Sequence, residues 1–179
     1  RMSDALLFFV CLAAALCIRQ FIGCAAVVKG RSMLSTLHPR DVMLAVRPPL
    51  LYRHIRRGDI VLCRYPGRYW RNLRFVPQTF VKRVVGLPGD TVQISGGYLY
   101  VNGVKYTEKF LSARMYSDYG PYIVPEGHYF LMGDNRNNSN DSRSSHVGAG
   151  PRNMILGKVE AVLWHQIPST LDDWGLAND

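Results

Sequence analysis

The sequence predicts a mostly β fold, an antiparallel β-sheet domain preceded by one N-terminal transmembrane helix. Three observations predict it. A long apolar run stands at the N-terminus, over residues 5–18. After Lys29 the chain breaks into short β-branched and aromatic runs punctuated by Gly and Pro. Beyond residue 30 no segment of convincing length repeats its apolar residues with the helical period.

The N-terminal run reads ALLFFVCLAAALCI, 14 apolar residues. As a helix it reaches roughly 21 Å, short of a hydrocarbon core of about 30 Å. Three readings remain open: a cleaved leader, a buried core helix, and a membrane anchor. The anchor reading is preferred, with Arg19 snorkelling to the interface and FIGCAAVV (21–28) lying on the membrane surface. This divides the chain into a membrane anchor and interfacial segment at 1–28 and a folded domain at 29–179. Strands follow in order as DIVLCRY (59–65), TFVKRVV (79–85), DTVQI (90–94), YLYV (98–101), HYFLM (128–132) and KVEAVLW (158–164). Gly96-Gly97 and Asn102-Gly103 are hairpin-turn dipeptides.

Composition narrows the class. The chain has 179 residues, 47% hydrophobic and 20% charged, the balance of a folded domain. The net charge is +9, and the excess is local: residues 40–83 hold 11 basic and 2 acidic side chains. Of the cysteines, Cys11, Cys17 and Cys24 lie in the apolar N-terminal stretch and Cys63 stands alone beyond it, which excludes a disulfide scaffold. His38, His54, His128, His146 and His165 show no metal-ligand spacing along the chain. The absence of HExxH, CxxC, P-loop and GxGxxG patterns sets aside zinc peptidases, NTPases and dinucleotide enzymes.

Three segments carry the chemistry: GRSMLSTL (30–37), FVKRVVGLPGD (80–90) and GDNRNNSNDSR (133–143). A serine hydroxyl attacks a carbonyl only with a base beside it. No histidine stands in a triad-like setting, but a lysine serves once desolvation makes it neutral. Side chains alternate along a strand, so Lys82 shares its face with Phe80 and Val84, while Arg83 points away with Val81 and Val85. Each residue also has an ordinary reading: Ser32 as a cap or turn serine, Lys82 as a solvated strand residue, the 133–143 segment as a polar turn.

Together with RGDIV (57–61), and in this order, these segments resemble the motif boxes of the type I signal peptidases, membrane-bound Ser/Lys proteases. The resemblance covers residues 5–164 and implies a signal-peptidase-like catalytic domain. It implies Ser32 as nucleophile, Lys82 as general base, and the Ser32 backbone N–H as an oxyanion donor. Ser139 would orient the Lys82 amine, Asp141 and Arg143 would pair to brace the loop, and Asp134 and Asn135 would fix the turn. Gly30 occupies a position where many relatives carry a second serine donor. The family pattern S-M-x-P-T-L reads Ser32-Met33-Leu34-Ser35-Thr36-Leu37 here, so Ser35 replaces a proline.

The resemblance implies a membrane-anchored serine endopeptidase that removes signal or sorting peptides, with no metal or organic cofactor. The expected partners are extended leader peptides of precursor proteins, membrane lipid and a paired peptidase subunit. The short anchor and compact domain favour the mitochondrial inner membrane, facing the intermembrane space; the bacterial plasma membrane is the alternative, which Arg136 in its motif favours. RYPGRYWRNLRF (64–75) interleaves arginines with aromatics, a pattern suited to anionic headgroups or a subunit ahead of nucleic acid. Rival readings are a non-catalytic or self-cleaving Ser/Lys relative and a basic membrane-surface binding protein.

Overall fold

The computed structural model describes residues 4–17, 23–46, 55–70, 73–111 and 113–165. It begins with helix α1 (Asp4–Cys17), 14 residues long, in which no residue is buried. Among the described residues no helix is long and apolar enough to cross a membrane. An N-terminal helix stands where the transmembrane helix was expected, but its described residues are too few to cross a membrane, and Arg19 lies outside the described residues.

Among the described residues eleven strands follow: β1 (Gly23–Val27), β2 (Val42–Val46), β3 (Ile60–Trp70), β4 (Leu73–Gly86), β5 (Thr91–Ser95), β6 (Tyr98–Val101), β7 (Val104–Tyr106), β8 (Tyr119–Ile123), β9 (His128–Met132), β10 (Gly150–Pro151) and β11 (Ile155–Trp164). They form a seven-stranded sheet in the order β1-β2-β11-β3-β4-β9-β10 and a four-stranded sheet in the order β7-β6-β5-β8. Every pairing is antiparallel. The mostly β expectation therefore holds.

Both hairpin dipeptides turn as expected. Gly96 and Gly97 have φ of 56° and 81°, Asn102 and Gly103 φ of 54° and 77°, the left-handed pairs that match strand twist. The 21–28 segment differs from expectation. Gly23–Val27 does not lie apart as an interfacial strip but pairs residue for residue with β2. Small residues make this possible: a Cβ on Gly23 would come within 2.8 Å of the Ala45 carbonyl oxygen. The boundary at residue 28 accordingly falls inside the first hairpin of the sheet. The 64–75 segment lies in the β3–β4 ribbon; residues 71–72 and the side chains of 66–77 lie outside the described residues.

The large sheet is apolar on both faces. One face packs Met33, Leu37, Met43, Ala45 and Leu62 beneath the loop that joins β1 to β2. The other packs Val61, Cys63, Tyr65, Val84 and Leu131 beneath the 133–149 segment. A third cluster, with Val92, Ile94, Leu99 and Phe130, joins the small sheet to the large one.

Candidate active site

Cross-strand register decides where Lys82 points. Val61 pairs with Lys82 and Cys63 with Phe80, so Lys82 enters the face that holds Val61, Cys63 and Val84. It is 1% exposed, a buried amine among apolar side chains. Its Nζ donates to Ser139 Oγ at 2.9 Å. Burial pushes the Lys82 pKa down; Asp141 and Cys63 act against this, and Arg143 adds to it. The apolar wall read from the alternation along TFVKRVV is present, with Cys63 added from the neighbouring strand.

Ser139 is held in turn by Asp141. The Ser139 hydroxyl helps to lower the Asp141 pKa, and its oxygen accepts from Lys82. Asp141 is fully buried and receives Nε and Nη2 of Arg143 at 2.8 and 2.9 Å. It also accepts the Gly133 N–H at 3.0 Å. Burial alone would raise the Asp141 pKa, but Arg143 and the Gly133 N–H hold it below the usual carboxylate range.

Ser32 lies in the turn between β1 and β2. Its carbonyl accepts the Asn135 backbone N–H at 3.0 Å, and Asn135 Nδ2 donates to the Arg31 carbonyl at 3.1 Å. Thr36 Oγ1 donates to Asp134 Oδ2 at 2.6 Å. On the face of β4 opposite Lys82, Arg83 grips the same carboxylate, with Nε and Nη2 at 2.8 and 2.7 Å from its two oxygens. Arg83 also donates to the Gly58 carbonyl and stacks on the Phe110 ring at 3.9 Å. The serine turn is therefore tied to the strand carrying Lys82 through Asp134 and Asn135.

Ser32 and Lys82 line one groove of about 490 Å³. One wall is the chain from Ala26 to Met33 and the other is β4 from Gln78 to Lys82, with Met43 and Leu62 in the floor. Gly30 opens the first wall with φ of 89° and space around its Cα. The six expected site residues thus fall around one cleft: Ser32, Lys82 and Gly30 line it, Ser139 touches Lys82, and Asp141 with Arg143 supports Ser139.

Other residues of the site were given no role there by the sequence. Gly133 lets the two loops meet: a Cβ there would lie 2.2 Å from Ser139 Oγ and 2.4 Å from the Ser32 carbonyl oxygen. Arg136, noted only as a motif letter, is buried against Glu108 and donates Nε to the Gly133 carbonyl at 3.0 Å. Ser35 takes φ of 83°, which a proline ring forbids, and its hydroxyl donates to the Phe110 carbonyl at 2.6 Å. The turn thus trades a preset φ for a hydrogen bond to a distant loop. Cys63, whose thiol burial raises to about 12, is a neutral neighbour of Lys82.

Comparison with known proteins is direct. The family model described as signal peptidase, peptidase S26, matches residues 1–164. A signal peptidase I of Bacillus amyloliquefaciens is 36% identical over 160 residues, 84% of this chain and 80% of that protein. Signal peptidase I S of Bacillus subtilis is 37% identical, covering 84% of this chain and 82% of that protein. A signal peptidase I crystal structure from Enterococcus faecalis shares 31% identity with a TM-score of 0.46, over 62% of this chain and 97% of that one. The two Bacillus relatives are bacterial, and neither supports the mitochondrial expectation. With a family match over residues 1–164 and more than a third of positions shared over most of the length of bacterial signal peptidases, this chain belongs to the signal peptidase family, peptidase S26, and is a serine endopeptidase.

Proposed function

We propose that this protein removes signal peptides from precursor proteins at a membrane, with Ser32 as nucleophile and Lys82 as general base. The observation that carries the reading is a buried amine, fixed by Ser139, in the groove that Ser32 also lines. A neutral lysine has two N–H bonds and one lone pair. With an N–H engaged by Ser139 Oγ, the lone pair is left for the Ser32 hydroxyl.

The substrate lies extended in the groove, between the chain from Ala26 to Met33 and the segment Gln78–Lys82. Ser32 Oγ attacks the scissile carbonyl carbon while Lys82 takes the hydroxyl proton. The negative oxygen of the tetrahedral intermediate is held by the Ser32 backbone N–H. Lys82 then gives its proton to the departing amine, leaving the leader as an ester on Ser32. Water enters, loses a proton to Lys82, and attacks that ester; the proton returns to Ser32 Oγ as the leader acid departs. Asp141 and Arg143 keep Ser139 in place throughout and exchange no proton.

Ser32 and Lys82 come from one chain, so no second subunit is needed to complete the pair. Helix α1, with Phe8 and Phe9 63% and 64% exposed, immerses in the membrane and holds the domain at its surface. The bacterial relatives favour the bacterial plasma membrane, with the domain on its outer side. The test is to reconstitute the full chain in liposomes with a leader-bearing precursor and sequence the product N-terminus. One cut after the leader, lost in Ser32→Ala and in Lys82→Met, is expected. Cleavage that survives either substitution would overturn the assignment.

A further inference from the structure

Three side chains from two distant parts of the chain meet where β2 begins. His38 and Asp41 close the turn that carries Ser32, and the Val28 N–H donates to the Asp41 carbonyl at 2.9 Å. His165 follows the last residue of β11, whose Trp164 pairs with Val42. Sheet register therefore sets His165 against Asp41, across 124 residues of sequence. His165 Nδ1 lies 2.9 Å from Asp41 Oδ2, and His38 Nδ1 lies 4.0 Å from the same oxygen. A donor atom from each of the three falls within 4.8 Å of the others.

Two imidazoles and a carboxylate form a nitrogen and oxygen donor set of borderline softness, the set that zinc takes. With bonds of about 2.0–2.1 Å, the donors of a tetrahedral zinc ion stand about 3.3–3.4 Å apart. The observed 2.9 and 4.0 Å lie on either side of that spacing, so small side-chain movements seat an ion. The carboxylate is already steered: its Oδ2 accepts the His38 backbone N–H at 2.8 Å, an outer contact of the kind that orients metal ligands. Asp41 is fully buried while His165 is 58% exposed, so the fourth position faces water. The two histidines lie 127 residues apart, which is why spacing along the chain gave no ligand pattern.

We propose that His38, Asp41 and His165 bind one divalent transition-metal ion, best suited to Zn²⁺, in a site separate from the Ser32–Lys82 groove. The ion touches no reacting atom. It fastens the end of β11 to the turn that presents Ser32 and so stabilises that turn.

The test uses the untagged full chain in detergent, stripped with a chelator and dialysed against Zn²⁺. One bound zinc per chain and a melting temperature that climbs with zinc concentration are expected. His165→Ala, at an exposed position, should weaken binding at least tenfold, and His38→Ala/His165→Ala should abolish it. Co²⁺ in place of Zn²⁺ should give the visible bands of a tetrahedral ion with nitrogen and oxygen ligands. Three results would each overturn the site: no zinc bound above the level of the double variant, full binding retained by that variant, or a thiolate-to-cobalt charge-transfer band, which assigns the metal to cysteine. The cobalt spectrum of the unsubstituted chain decides the matter even where a variant folds poorly.

Discussion

On the proposed mechanism Lys82 must be unprotonated when Ser32 attacks, and its surroundings set the pH at which that happens. Because burial lowers its pKa, the cleavage rate should rise with pH through an apparent value below the ordinary 10.4 or so of lysine. Val84 lies two residues along on the same face and is fully buried. Val84→Ser should rehydrate the amine and move the ascending limb to higher pH; a limb that stays put would show that this wall does not tune the base. The same burial has a stability consequence. The unfolded chain holds the Lys82 proton up to about pH 10.4 and the folded chain releases it earlier, so stability rises with pH across that window. Lys82→Met removes the buried amine and should raise the melting temperature at neutral pH while reducing single-turnover cleavage to near the uncatalysed rate. Gly133 makes the complementary case. Its replacement by Ala sets a methyl group 2.2 Å from Ser139 Oγ and 2.4 Å from the Ser32 carbonyl. Displacement of both loops by about 1 Å should lower kcat on the order of 100-fold, which pre-steady-state kinetics on a short leader peptide would measure.

At the scale of elements, β4 joins the two loops, and Arg83 is its structural half. The fork from Arg83 to Asp134 is bidentate and its carboxylate is fully buried. Arg83→Met leaves that charge uncompensated and should destabilise by about 3–5 kcal/mol. Arg83→Lys keeps the charge but not the fork. It should still lower kcat more than it changes KM, because Asp134, which accepts from Thr36 in the Ser32 turn, loses the fork that holds it in place. Urea unfolding and steady-state kinetics check both variants. Much of this was legible in the sequence. Alternation along TFVKRVV placed Lys82 and Arg83 on opposite faces, and YLYV and HYFLM are strands over their full expected lengths. The turn dipeptides marked the hairpins because left-handed φ is a local property of Gly and Asn. What was not legible depends on distant partners. GCAAV carries no period-2 contrast, so β1 looked like the tail of the apolar run until β2 paired with it. β7 has three exposed residues and β8 contains Pro121, which hides a strand from any propensity argument. Gly133 and the Arg136–Glu108 pair are required by a contact between two loops that no local pattern announces.

For the whole molecule, the relevant relation is between the membrane and the cleft. Deleting residues 1–20 should leave the sheet intact, since β1 begins at Gly23. The truncated chain should cut a soluble leader peptide normally and a membrane-embedded precursor much less well, through loss of effective concentration. An unchanged ratio of the two rates would show that the N-terminus does not position the site. Chelators should leave peptide cleavage in place. Cleavage lost on chelation and restored by zinc in the His38→Ala/His165→Ala variant would put a metal into the chemistry. Acid should loosen the molecule at Asp141. Its folded pKa lies below the unfolded value of about 3.9, so its stabilisation is complete above that value and fades as pH falls through the folded one. Activity incubated at descending pH and assayed at neutrality would reveal whether this loss is reversible.

The adjacency of Lys82 and Arg83 has a safeguard built into it. The pleat of β4 is the partition between an amine that can give up its proton and a guanidinium that cannot. If β4 paired with β3 one residue out of step, the two would exchange faces. The cleft would then receive a permanent cation in place of the proposed base, and the carboxylate of Asp134 would face a lysine that cannot fork. Such a misassembled molecule is both unstable and inert. Proteolytic competence is thereby made conditional on correct pairing of a single strand.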